Sequence, residues 1–193
     1  MIEILPYQPR WHTEFLEIGG RIRAALGDLA LRVDHIGSTS VPNLAAKDII
    51  DIQVTLPDFE QLEDVRQQLE AAGFVFRFYG IFDHAPAGWD TSEQEWEKVF
   101  FREGEGQRRV NMHIRARGRA NQRYALLFRD YLRAAPKAAA GYAALKVQLA
   151  HYFGHLEDIT PYVEIKDPVV DIIIAQAEEW AERTGWAVGE ADL

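Results

Sequence analysis

The stretch "DHIGSTSVPNLAAKDIIDIQV", residues 34–54, decides the fold. It opens on a Gly37-Ser38 turn and closes on a short apolar run that carries Asp51. Glycine lets backbone amides approach a phosphate, a serine hydroxyl can donate to a phosphate oxygen, and a carboxylate on the next strand can hold Mg²⁺. The pattern therefore indicates a phosphate-binding turn that leads into a strand with a metal ligand.

Alternating strand and helix signals surround this stretch. Branched and aromatic residues predict strands over 29–36, 48–55 and 74–79, and apolar residues at steps of three and four predict helices over 8–27 and 58–72. In the second helix we expect Asp58 to be the N-cap, Gln61 to complete a capping box and Gly73 to end the helix.

The second half of the chain begins with a loop and a hairpin and continues as helices. Residues 80–94 lack periodicity and are expected to form a long, functional loop, and two alternating segments around "GEGQ" predict a β-hairpin. Helices are predicted over 120–134, 136–153 and 161–184, with Pro168 kinking or breaking the last one. We expect an α+β fold in one folded unit: a mixed sheet with helices over 1–117 and a helical part over 118–193 packed on it.

Composition sets broad limits on function. The chain has 193 residues, 48% of them hydrophobic, a formal net charge of −9 and no cysteine. The acidic balance argues against nucleic-acid binding by the whole surface, and the absence of cysteine excludes disulfides and thiolate metal sites. With neither a signal peptide nor a run long enough to span a membrane, we expect a cytoplasmic protein without a membrane partner.

Four segments together resemble the GrpB family, which is assigned to the nucleotidyltransferase superfamily and is sometimes joined to dephospho-CoA kinase. They are "HIGSTSVPNLAAKDIIDI", "NMHI", "LLFRDYLRAAPKAAAGYAALKVQLA" and "PYVEIK", and the likeness extends from about residue 3 to about residue 180. The resemblance implies the nucleotidyltransferase fold, in which a Gly-Ser turn precedes a strand with metal-binding carboxylates. Asn43 and Asp48 depart from the family's usual "VPGLAAKPIIDI".

The resemblance also implies a catalytic centre, which this chain matches in part. Active members of the superfamily place a second carboxylate two residues after the first, and the ligands hold two Mg²⁺ ions about 4 Å apart. Here Gln53 occupies that second position. Asp48 lies on the opposite strand face from Asp51 and does not easily replace the missing carboxylate. We expect Asp51 and His113 to be the catalytic residues and the ligands of a divalent metal, Mg²⁺ in the first instance.

Basic and hydroxyl residues are the candidates for holding phosphate. Nine arginines against three acids between residues 102 and 133 give a local positive excess in an acidic chain. The predicted phosphate or nucleotide ligands are Gly37, Ser38, Thr39, Ser40, Lys47, Arg102, Arg109 and Arg115. Lys146 and Lys166, in the helical part, are further residues able to reach a nucleotide.

Three functions are consistent with these features. The first is a nucleotide-binding protein that transfers a nucleoside monophosphate from an NTP to an acceptor. The second is a non-catalytic module for a nucleotide or a CoA-related ligand, which the loss of a carboxylate at Gln53 favours. The third is an interaction protein whose arginine-rich hairpin binds a partner without a nucleotide; nucleic acid is a partner that this interpretation allows but does not favour.

Overall fold

The computed structural model describes residues 2–158 and 160–193, without the side chain of residue 81, and contains a five-stranded mixed sheet. The strands are β1 Arg32–Ile36, β2 Ile50–Leu56, β3 Val75–Phe82, β4 Glu97–Arg102 and β5 Val110–Ala116. Their order in the sheet is β1-β2-β5-β4-β3. The pair β2–β5 is parallel and the other neighbours are antiparallel. The mixed sheet of the prediction is confirmed.

Within the part of the chain that the structure describes, six α-helices accompany the sheet. They are α1 Arg10–Leu26, α2 Leu62–Ala71, the short α3 Glu93–Trp96, α4 Ala120–Ala134, α5 Pro136–Phe153 and α6 Thr160–Thr184. The predicted helices at 8–27 and 120–184 are confirmed to within a few residues. Among the described residues, no helix is both long and apolar enough to cross a membrane.

Each face of the sheet is covered by a different set of helices. On one face, Trp11, Phe15 and Ile22 of α1 are fully buried against Ile52 and Met112 of the central strands, and α2 packs into the same core. Burying these five side chains stabilises the fold by roughly 1.5–3 kcal/mol each, which holds α1 against this face of the sheet. The opposite, more polar face lies under α4, α5 and α6.

Three local predictions require correction. Helix α2 begins at Leu62, so Asp58 is not its N-cap. Asp58 instead stabilises the turn before the helix, where its Oδ1 accepts a hydrogen bond from the backbone N of Glu60 at 2.8 Å. The loop predicted over 80–94 is shorter, because β3 continues to Phe82 and α3 begins at Glu93. Helix α6 continues through Pro168, and Val170 and Ile173 after it are buried in one apolar cluster with Leu132 of α4 and Tyr142 of α5.

Candidate phosphate-binding site

The site lies on the polar face of the parallel strands β2 and β5. Asp51 is paired in register with Asn111, and Gln53 with His113. Side chains opposite one another in register share a face of the sheet, and so do side chains two residues apart on one strand, so Asp51 and His113 lie on the same face. The two pairs nevertheless have different surroundings.

Asp51 packs directly under the Gly37 turn. Gly37 has φ +67°, a left-handed conformation that favours glycine, and a methyl group there would lie 2.8 Å from the Cβ of Asp51 and closer still to its carboxylate. Asn111 Nδ2 donates to Asp51 Oδ1 at 2.8 Å. The glycine therefore allows the turn and the carboxylate to meet, and Asn111 orients that carboxylate.

Lys146 reaches the same turn from helix α5. Its Nζ donates to Ser38 Oγ at 2.8 Å and to the carbonyl oxygen of Ala45 at 2.6 Å, and the residue is only 4% exposed. Burial lowers the pKa of Lys146 to about 7, against the opposing attraction of Asp51. An ammonium group has three donors, so one N–H remains beyond these two contacts within the described part of the chain.

Lys47 and Lys166 complete a pocket around Asp51. The cavity has a volume of ≈ 240 Å³, and its lining includes Ser38, Asp51, Asn111, Tyr142, Tyr162 and the three lysines at 47, 146 and 166. Lys47 Nζ lies 4.1 Å from the centre of the Tyr162 ring, and burial lowers the pKa of this lysine. One carboxylate and three lysines line the cavity, and the lining carries a formal net charge of +2 when all three lysines are protonated. We call this cavity the lysine pocket.

The Asp51 carboxyl is held between opposing influences. Burial raises its pKa, whereas the hydrogen bond from Asn111 and the charges of Lys146, Lys47 and Lys166 lower it. An anion that brought further negative charge would interact favourably with the lysines and unfavourably with Asp51. The lysine pocket is therefore suited to an anion with several charges that can span the lysines.

A larger groove continues from the lysine pocket along the end of the sheet. Its volume is ≈ 830 Å³, and it shares Lys47 and Asn111 with the lysine pocket. Arg102 and Arg109 line it, so these two predicted phosphate ligands lie beside the pocket and not around Ser38. Arg108 also lines it, but its guanidinium pairs with Glu14 and Asp48.

Gln53 is enclosed by protein donors and acceptors. It is fully buried, its Nε2 donates to the carbonyl oxygen of Gln122 at 3.1 Å, and its Oε1 accepts from Arg115 Nη1 at 2.6 Å. Arg115 also pairs with Asp83 at 2.7 Å, and Lys98 pairs with the same carboxylate. Burial would raise the pKa of Asp83, but Arg115 and Lys98 hold it well below its usual value.

His113 belongs to this enclosed cluster. Its ring lies 5.1 Å from that of Phe100, and its Nδ1 is buried with no hydrogen-bond partner among the described residues. Burial, together with the charges of Arg115 and Lys98, lowers the pKa of His113 well below its usual value, so the ring is neutral. The charged groups that act on His113 are those of the Asp83 cluster, not those around Asp51.

Thr39, Ser40 and Arg115 are directed into the protein and away from the lysine pocket. Thr39 is buried, with its Oγ1 3.0 Å from His35 Nε2, and Ser40 Oγ donates to the carbonyl oxygen of Gly37 at 2.6 Å. Arg115 is engaged by Gln53 and Asp83. The structure therefore places these three predicted phosphate ligands outside the lining of the lysine pocket, with polar groups that have partners inside the fold.

The residues present do not fit a two-magnesium centre. Such a centre needs several carboxylates, and among the described residues no group of three His, Asp or Glu side chains comes together in a way that could hold a metal. The Gln53 oxygen accepts from a guanidinium, and three lysines surround Asp51. Asp48 does not supply the missing carboxylate, because it accepts from Trp11 Nε1 at 2.7 Å and pairs with Arg10 and Arg108.

Helices α5 and α6 contribute more residues to the lysine pocket than the sequence predicted. Tyr142 and Lys146 are four residues apart on α5, which places them on one helix face, and Tyr162 and Lys166 repeat this spacing on α6. Each pair presents an aromatic ring and a lysine to the lysine pocket. This repeated Tyr-x-x-x-Lys spacing was the available signal.

Comparison with known sequences gives a family and several relatives. A family model described as "GrpB protein" matches residues 1–176. A "Dephospho-CoA kinase" of Mycolicibacterium paratuberculosis is 35% identical in an alignment that covers 96% of this chain and 48% of that protein. The "UPF0157 protein BH1888" of Halalkalibacterium halodurans is 33% identical over 91% of this chain and 82% of its own length. The chain thus spans about half the length of the first of these relatives.

Comparison with solved structures gives the fold. The crystal structure of the conserved protein GrpB from Enterococcus faecalis superposes with a TM-score of 0.74 at 32% identity, over 92% of this chain and 99% of that one. Cid1 in complex with the UTP analog UMPNPP superposes with a TM-score of 0.51 at 16% identity, over 82% of this chain and 45% of that one. This chain therefore has the fold of the nucleotidyltransferases.

Proposed function

The chain belongs to the GrpB family, and on this premise we propose that it binds a nucleotide, or a related phosphate-bearing small molecule, through its phosphates in the lysine pocket. One observation carries the proposal: the Gly37-Ser38 turn, Asp51 and three lysines from separate elements converge on one small cavity. Lysines bind phosphate as point charges, and a serine hydroxyl adds a directional donor.

The adjacent groove has room for the rest of the ligand. It continues past Lys47 and Asn111, and Arg102 and Arg109 supply further positive charge along it. In this arrangement the phosphates lie against Ser38 and Lys146, and the groove receives the remainder of a nucleotide or a second reactant. The relatives named for dephospho-CoA kinase make dephospho-CoA and CoA ligands to test alongside the nucleoside triphosphates.

Calorimetric titration tests this proposal by separating phosphate recognition from base recognition. ATP, UTP, dephospho-CoA and CoA are titrated into the wild type, with adenosine as the phosphate-free ligand. At least one phosphate-bearing ligand should bind, pyrophosphate should compete with it, and Lys47→Met should weaken it. Lys137→Met, at an exposed position on α5, should leave the affinity unchanged. Binding of adenosine as tight as that of ATP would contradict the proposal.

Nucleotidyl transfer is the second candidate, and the retained Asp51 beside a groove for a second reactant favours it. In that reaction an acceptor oxygen forms a bond to the α-phosphorus, the bond between the α-phosphorus and the bridging oxygen breaks, and pyrophosphate leaves. A pyrophosphate-release assay with NTPs, candidate acceptors and Mg²⁺ or Mn²⁺ tests it. Release that is abolished in Asp51→Ala supports transfer, and binding of the nucleotide without release supports the non-catalytic module.

A further inference from the structure

The charges around Asp51 are arranged as they would be if protein cations had replaced metal ions. In a two-metal centre, carboxylates gather the divalent ions and the ions in turn neutralise phosphate oxygens. Here a single carboxylate faces three lysines that come from three parts of the chain: Lys47 before β2, Lys146 on α5 and Lys166 on α6. The positive charge that phosphate requires is therefore already covalently present.

The position of the second metal ligand is closed as well. Gln53 Oε1, the atom that corresponds in place to a second carboxylate oxygen, accepts from Arg115 Nη1 at 2.6 Å, and its amide nitrogen donates to Gln122. A divalent ion beside this oxygen would be repelled by the guanidinium and would break a buried hydrogen bond. Water could not replace the lost hydrogen bond, because Gln53 is fully buried.

Lys146 is the lysine best placed to act for a metal. It is held rigidly by Ser38 Oγ and the carbonyl of Ala45, and its position is fixed relative to Asp51 because Gly37 packs on that carboxylate. A buried charge with two fixed partners is preorganised, so ligand binding costs little ordering of the side chain. Lys47 is positioned against the Tyr162 ring, whereas Lys166 is more exposed and pairs with Asp167.

From this arrangement we propose that the lysine pocket binds a di- or triphosphate anion without a divalent cation, with Lys146 in the place of the metal and Lys47 and Lys166 in support. The inference rests on the proposed function and deepens it, because it names the ionic form of the ligand. In this site Asp51 is an electrostatic opponent of the anion and limits its affinity. In a metal-dependent site, Asp51 would instead hold the cation and increase the affinity for the anion.

Titration of inorganic tripolyphosphate, in EDTA and in Mg²⁺, tests the inference. The wild type should bind in EDTA, with an affinity that Mg²⁺ changes by less than about threefold beyond its own association with the ligand. Lys146→Met should weaken binding in EDTA by about tenfold or more. Lys137→Met, the same substitution at an exposed position of the same helix, should not. Asp51→Asn should bind more tightly than the wild type in EDTA.

The outcomes separate the inference from the proposed function. Binding that requires Mg²⁺ and is weakened in Asp51→Asn would overturn the inference and leave the proposed function intact. Absence of binding in both buffers would overturn the proposed function itself. If Lys146→Met does not fold, as judged by its thermal unfolding, Lys166→Met takes its place, because that lysine is on the partly exposed side of the lysine pocket. Unchanged affinity in a folded lysine variant would also overturn the inference.

Discussion

The two ends of one polar strand face have opposite characters. Asp51 and Asn111 open into the lysine pocket, where donors remain available to a ligand. Two residues further along the same strands, Gln53 is fully buried and His113 is partly buried, and the neighbouring Arg115 is bonded to protein partners. We refer to these as the open end and the closed end.

The difference shows that side-chain direction alone does not make a site. Both ends have polar residues on the same face, yet the helices above them differ in what they supply. At the open end α5 and α6 supply lysines, and at the closed end α4 supplies the Gln122 carbonyl while the segment after β3 supplies Asp83. Lys146 at the open end keeps one N–H for a ligand, whereas the Arg115 guanidinium at the closed end is engaged by Gln53 and Asp83.

The largest expected effect is on stability and comes from breaking the closed end. Arg115→Met would leave buried Gln53 without its guanidinium partner and Asp83 with Lys98 as its remaining ion-pair partner, and the free energy of unfolding should fall by about 2–4 kcal/mol. Urea unfolding measures this loss. The exposed neighbour Arg117→Met should change it by less than about 0.5 kcal/mol. A loss equal to that of the control would show that the cluster does not hold the closed end together.

Gly37→Ala should damage the open end. The added methyl group would meet Asp51, and the left-handed backbone adds strain, so we expect a stability loss of about 1–3 kcal/mol together with loss of tripolyphosphate binding. Gly27→Ala is the matched control, since Gly27 has φ +50° with no heavy atom within 4 Å of the added carbon. It should show the backbone strain alone and retain binding; equal binding in both variants would contradict the close approach of turn and carboxylate.

The pH dependence of binding should sharpen the role of Lys146. Its pKa is about 7 in the free protein, and a phosphate ligand raises it by stabilising the ammonium form. The contribution of Lys146 to affinity is therefore fully present below pH 7 and declines as the pH rises above 7. Facing charged and titratable groups are Asp51 on β2, Lys47, Tyr142 on α5 and Lys166 on α6.

The measurement is the tripolyphosphate affinity between about pH 6 and pH 9, compared between the wild type and Lys146→Met. The ratio of the two affinities cancels the titration of the ligand and of the other lysines to first order. It should be greatest at the acid end of the range and fall toward one at the alkaline end. A ratio that rises with pH would have the wrong sign for an ammonium group that binds phosphate.

The smallest expected effect concerns restoring the missing carboxylate. Gln53→Glu should not create Mg²⁺-dependent binding, because the new carboxylate would pair with Arg115, and its effect on affinity in Mg²⁺ should stay below about twofold. Asn111→Asp adds a carboxylate at the open end, directly beside Asp51, and should introduce Mg²⁺ dependence. Calorimetry in EDTA and in Mg²⁺ compares them. Mg²⁺ dependence in Gln53→Glu alone would reverse the assignment of the two ends.

Local sequence patterns predicted the strands and the shared face, because alternation along a strand depends only on neighbouring residues. They did not predict which end of that face stays open. The Ser38–Lys146 contact joins residues 108 positions apart, and the Arg115–Asp83 pair joins residues 32 apart. Such contacts depend on how α4–α6 and the segment after β3 cover the sheet. Thus Asp51 and Ser38, two of the predicted site residues, line the lysine pocket. Arg115, another predicted site residue, is engaged by Gln53 and Asp83.

A crystal structure with tripolyphosphate bound in the presence of EDTA would show whether the lysine pocket holds the anion without a metal ion. We expect phosphate oxygens within hydrogen-bond distance of Ser38 Oγ and Lys146 Nζ, with Lys47 close by and no metal ion between the ligand and Asp51. Phosphate bound only beside Arg102 and Arg109, or a ligand that appears only when Mg²⁺ is added and bridges to Asp51, would contradict it.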